Sequence, residues 1–92
     1  MKRVFPLATF ERMARKLVGP EKEALRDGLR NFNQFLVTGA LVPGLGYKKI
    51  AESKFEFRVG LKLRVLVKME GENYYLAFLG NHDDIKRYLK NL

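Results

Sequence analysis

Cysteine is absent from the 92-residue chain, which excludes a disulfide framework and every thiolate metal site. No apolar run approaches the roughly 18 residues that a membrane span requires. The opening MKRVFPLATF carries Lys2 and Arg3 but no apolar h-region, so it reads poorly as a secretory signal. Cytoplasm, with no membrane partner, is the expectation. The glycines of ALVPGLGY do not follow the G-x-x-x-x-G-K-[ST] spacing that wraps backbone N–H groups around a phosphate, so they read as turn chemistry. Histidine occurs once, as His82. Acidic residues are scarce beside basic ones, 10 against 18, for a net charge of +8. That imbalance favours a polyanionic partner: RNA, DNA or an acidic protein.

What is present is a long alternation. Phe55, Phe57, Val59, Leu61, Leu63, Val65, Val67 and Met69 occupy successive odd positions, while Glu56, Arg58, Lys62, Arg64, Lys68 and Glu70 stand between them. A period of two predicts β-structure with one face in the core and one in water. The run exceeds a usual strand, and Gly60 is the natural turn. A loop of Gly60, Leu61 and Lys62 sets Val59 opposite Leu63, Arg58 opposite Arg64, Phe57 opposite Val65 and Phe55 opposite Val67, and a one-residue slip would send the apolar set to solvent. Two arginines side by side repel, which suggests an anion between them; two splayed surface arginines are the alternative. From Tyr47 to Lys68 seven basic residues (Lys48, Lys49, Lys54, Arg58, Lys62, Arg64, Lys68) face two acidic ones.

Before this stretch, Lys2 to Phe5 predicts a short strand ended by Pro6. Thr9 is placed to cap a helix whose apolar stripe is Phe10, Met13, Ala14, Leu17 and Val18. Gly19-Pro20 ends it and Pro20 opens a second helix, with Leu25, Leu29, Phe32 and Leu36 inward and Gly28 admitting the first helix closely. Ala40 to Ser53 reads as a connection. After the hairpin, Gly71-Glu72 makes another turn. Pairing Glu70 with Asn73 puts Tyr74, Leu76 and Phe78 in the core and Tyr75, Ala77 and Leu79 on the basic face. Asn81 and His82 then form a loop, and Asp83 or Asp84 caps a final helix. The expectation is a single α+β domain over residues 1–92: a small antiparallel sheet packed by an N-terminal helical hairpin, in the order β-α-α-β-β-β-α.

Three short motifs in this order resemble the RelE/ParE superfamily of prokaryotic type II toxins. Glu56-Phe57-Arg58 is similar to the family's E-L-R, Arg64-Val65-Leu66-Val67 to its R-V-[IL]-[YF], and Gly80-Asn81-His82-Asp83-Asp84-Ile85 to a G-x-H-[DE]-x-[IVL] found at the last strand's end. In the RelE branch the resemblance implies cleavage of messenger RNA at the ribosome; in the ParE branch, inhibition of DNA gyrase. Both imply a cognate antitoxin and a heteromeric complex. A third reading is a non-catalytic RNA-binding relic.

The resemblance makes Arg58, Arg64 and His82 the catalytic set, with Lys62 and Lys68 as further phosphate contacts. An aromatic near the chain's end, here Tyr88, would stack on a base or pack in the core. Lys48, Lys49 and Lys54 extend the basic surface. Attack by a 2′-hydroxyl requires donors for the pentacovalent phosphate and a proton shuttle. Guanidinium suits the first task, and imidazole, with an unperturbed pKa of about 6.5, suits the second. The other reading of His82 is a turn or cap residue. No metal and no cofactor is expected.

Overall fold

The computed structural model describes residues 1–91. Strand β1 (Arg3–Pro6) leads into helices α1 (Ala8–Arg15) and α2 (Pro20–Thr38). Strands β2 (Lys48–Ala51), β3 (Lys54–Val59), β4 (Leu63–Glu70) and β5 (Asn73–Gly80) follow, and α3 (His82–Lys90) comes last. The fold is α+β, as expected. To the expected order it adds the short strand β2, which pairs antiparallel with β3 through a tight turn in which Ser53 has φ 58°. In it Lys48 pairs with Glu56, Lys49 with Phe55 and Ala51 with Lys54, and Ile50 lies at an irregularity between the last two pairs.

The sheet has five strands in the order β1-β5-β4-β3-β2. It is mixed rather than wholly antiparallel, because β1 runs parallel to β5. The β3–β4 hairpin has the register expected from the alternation, Arg58 opposite Arg64 and Phe57 opposite Val65. Gly60, at φ +62°, supplies the left-handed backbone its three-residue turn needs.

One face of the sheet carries Phe57, Val59, Val65, Val67, Leu76 and Leu79, buried under α1 and α2 together with Phe10, Leu25, Phe32 and Leu36. Phe32 stacks on Phe57 with ring centroids 4.7 Å apart. Tyr47 stacks on Phe55 and lies 4.8 Å from Phe35, and burial pushes its phenol up to about 12, Tyr74 adding a smaller effect. Gly28 serves a different neighbour from the one expected: a Cβ there would lie 3.1 Å from Val59 Cγ2, so its role is to let α2 approach β3. Helix α1 begins at Ala8 without a side-chain cap, and Thr9 lies inside it.

The opposite face holds a second, smaller core of Leu66, Ala77 and Ile85, with Phe78, Tyr88 and Leu89 packed on it. Here the expected β5 assignment is corrected. Leu66 pairs with Phe78 but Val67 pairs with Leu76, so Ala77 is an extra residue in β5. The bulge reverses the faces beyond it: Leu79, opposite Val65, enters the main core, and Phe78 joins the second face beneath α3.

Candidate functional site

Cross-strand partners share a face, so the second face presents Lys54, Glu56 and Arg58 of β3 beside Lys68, Leu66 and Arg64 of β4. Alternation alone would leave all these charges in water. In the fold, α3 covers the centre of the face, and Glu56 is only 2% exposed. A buried carboxylate requires a cation and hydrogen bonds. Arg64 Nη1 donates to Glu56 Oε2 at 2.8 Å, and the arginine keeps 22% of its side chain exposed. The anion that offsets Arg64 is therefore internal. In sequence an acid within a basic alternation reads as a solvated residue, so Glu56 does not stand out there; its diagonal position to Arg64 is the available signal.

Arg58 leaves in another direction. Its backbone N–H donates to Leu45 O at 2.8 Å. Its side chain lies over Gly46, where an added Cβ would come within 3.0 Å of Nε. Arg58 lines a groove of about 370 Å³ between α2 and the Pro43–Leu45 loop, with Asp27 and Asn31 across from it. The arginines are opposite in register, yet their side chains leave the strands toward different partners.

Arg64 instead lines a groove of about 410 Å³ with Lys62, Asn81 and His82, rimmed by Glu21 and Asp83. The elements that build it are the tip of the β3–β4 hairpin and the first turn of α3. His82 is the first residue of that helix and is exposed, not part of a loop. The cap is Asn81, rather than Asp83 or Asp84. Asn81 Oδ1 accepts from Asp84 N at 2.8 Å, and Asp84 Oδ2 accepts from Asn81 N at 3.0 Å, a reciprocal capping box. Gly80 permits the helix to start there, since a Cβ on it would lie 2.7 Å from Asp84 Cβ. Asp84 is occupied in this box and reaches Arg87 at 3.7 Å.

The remaining candidates are dispersed. Lys48 is opposite Glu56 on the second face, whereas Lys49 is opposite Phe55, on the other face, and lies 3.6 Å from Glu52. Lys54 and Lys68 are partners in the middle of the sheet, on the far side of Leu66 from Arg64. The Tyr88 ring is stacked on Phe78 at 4.6 Å within the second core, leaving at most one ring face for a base. Of the sequence-predicted residues, Lys62, Arg64 and His82 share one groove. No helix among the described residues is long and apolar enough to cross a membrane.

No family model and no curated protein matches the chain. Solved structures do match in fold. The toxin–antitoxin RelB-RelE complex of Methanococcus jannaschii contains a chain that superposes with a TM-score of 0.67 at 16% identity, covering 91% of this chain and 96% of that one. A copper-bound mutant toxin from Helicobacter pylori gives 0.64 at 13% identity, covering 92% and 99%. The DinJ-YafQ complex of E. coli gives 0.62 at 10% identity, covering 92% and 98%.

Proposed function

We propose that this chain, which has the fold of the RelE and YafQ toxins, is itself the toxin of a toxin–antitoxin pair and cleaves messenger RNA. The observation that supports this reading is the single groove holding Lys62, Arg64 and His82.

In that groove each residue type has a task that matches its chemistry. His82 takes the proton of the attacking 2′-hydroxyl and returns one to the departing 5′-oxygen. Arg64, held by one Nη on Glu56, directs its other N–H donors at the charge that develops on the phosphorus oxygens. Glu56 acts as a positioning residue. Lys62, exposed in the hairpin turn, adds a mobile charge against an adjacent phosphate. The bond formed is 2′-O–P and the bond broken is P–5′-O, leaving a 2′,3′-cyclic phosphate and a 5′-hydroxyl. An antitoxin covers this groove, and the ribosome presents the message.

The test is induction in growing cells with transcript 5′ ends mapped. New 5′-hydroxyl ends phased to codons are expected, with growth arrest. His82→Gln and Lys62→Gln should each relieve the arrest, and because both residues are exposed a loss there does not report unfolding. Arrest without new ends sinks the cleavage reading. A second reading, inhibition of DNA gyrase by binding, draws on Leu61, a fully exposed apolar side chain at the hairpin tip beside the groove. Inhibition of purified gyrase that survives His82→Gln but not Leu61→Lys would favour it.

A further inference from the structure

The sheet register lines up four side chains across four strands of the second face. Phe5 of β1 pairs with Tyr75 of β5, Tyr75 with Lys68 of β4, and Lys68 with Lys54 of β3. Partners in register share a face, so two aromatic rings and two ammonium groups form one row. It spans three inter-strand gaps, about 14 Å.

Stacking steadies the aromatic half of the row, but its open edge and the lysine half are not explained by stability. The Phe5 and Tyr75 rings stack at 5.6 Å and 25°, yet Phe5 is 39% exposed. It belongs to the edge strand β1, so no strand lies beyond its outer ring face. Neither Phe5 nor Tyr75 belongs to the two buried cores. Lys54 and Lys68 are like charges directly opposite, an unfavourable pair. Among the described residues the ion pairs of this face are Arg64 with Glu56 and Arg87 with Asp84, and neither involves these lysines. Arg3, opposite Asn73, adds a further cation one step along, and Glu70, also opposite Asn73, is the neighbouring acid. The Leu66–Ala77–Ile85 core under α3 separates the row from the Arg64 groove.

We infer that the row Phe5–Tyr75–Lys68–Lys54 is a binding platform for single-stranded nucleic acid, distinct from the groove that holds His82. Bases stack on the open Phe5–Tyr75 edge, which tolerates any base because each has a π-face. Lys68 and Lys54 take the phosphates that follow. The occupant is a polyanion because the row joins unpaired lysines to an open ring face at the sheet edge, and an apolar protein segment would leave the lysine pair unanswered. This inference goes beyond the cleavage reading and does not depend on it.

The test uses the whole chain and a fluorescent, fully 2′-O-methylated oligouridylate of about 12 nucleotides, which removes the attacking hydroxyl and makes binding independent of cleavage. Fluorescence anisotropy should show that Phe5→Leu, which keeps an apolar contact with Tyr75 but no ring, weakens binding about 5-fold or more, the low end of the stacking range. Tyr75→Leu should do the same, with far-UV circular dichroism confirming the fold. Lys54→Gln and Lys68→Gln should each lower the slope of log affinity against log salt by about 0.7. Failure of the wild-type chain to bind, or unchanged binding by the Phe5 and Tyr75 variants, overturns the inference. A cleavage assay that fails while these binding results hold would reject the nuclease reading alone.

Discussion

Taking a carboxylate out of water costs several kcal/mol unless a cation and hydrogen bonds meet it, and Glu56 is met by Arg64 at 2.8 Å. The two partners are not equivalent. Glu56 is 3% exposed at its side chain and Arg64 22%, so the arginine can turn to solvent when its partner is lost and the glutamate cannot. Arg64→Met should therefore destabilise the domain by about 3–5 kcal/mol, as for a buried pair broken at one side, and Glu56→Gln by clearly less. Urea midpoints of the two variants read this order directly, and equal shifts would contradict it. Glu56→Gln should nevertheless slow RNA cleavage, because the guanidinium loses its anchor. Tyr47 gives a pH prediction. Its folded pKa is raised to about 12 by burial, above the ordinary value near 10, so the unfolded chain releases the proton first. The stabilising contribution is complete below pH 10 and is lost as pH climbs from about 10 to 12. Thermal unfolding across that range should fall more steeply for the wild type than for Tyr47→Phe.

At the scale of elements, α3 determines whether the groove exists. Its first turn is seated by the Asn81–Asp84 capping box and by the missing side chain of Gly80. Gly80→Ala drives a methyl to within 2.7 Å of Asp84 Cβ, an overpacking that typically costs about 1–3 kcal/mol. The helix must shift to accept it, and His82, its first residue, shifts with it. RNA cleavage should fall by more than the loss of folded protein accounts for, as measured by activity per folded molecule. Gly71→Ala strains the β4–β5 turn, where φ is +59°, away from both the hairpin tip and α3, and serves as the comparison.

For the whole molecule, a sheet with a large core on one face and a small one on the other should not come apart as a single unit. A chain of this length has a total stability of about 5–14 kcal/mol. Phe32, buried among Tyr47, Phe57 and Tyr74, should cost about 3–5 kcal/mol when cut to alanine, enough to make the domain marginal. Ile85→Ala removes the centre of the small core and should release α3 locally. Hydrogen exchange of Ile85→Ala should show lost protection in α3 with β3, β4 and β5 still protected, whereas Phe32→Ala should lower protection everywhere. The net charge of +8 acts at this scale too, drawing polyanions to the basic face from a distance.

Local sequence determined the two N-terminal helices, although the first ends at Arg15 and leaves Val18 exposed, the β3–β4 register and, Leu61 and Glu56 aside, the division of the alternating run into core and charged residues. Each depends on short-range periodicity and turn chemistry: Gly19-Pro20, Gly60, and a period of two that one slip would destroy. The motifs around Arg58, Arg64 and His82 were also legible, because they lie within one contiguous stretch. The tertiary structure decided the rest. Strand β1 joins β5, far away in the chain, and only that pairing sets Phe5 beside Tyr75. A bulge at Ala77 reverses Phe78 and Leu79, and no local pattern marks an unpaired alanine in an apolar strand. The fate of the arginines needed both the register and the surroundings. Arg58 turns to Gly46 and Arg64 to Glu56 and the His82 groove, because a side chain's direction is set by which neighbours bury it, and those neighbours come from loops and helices that sequence spacing does not place.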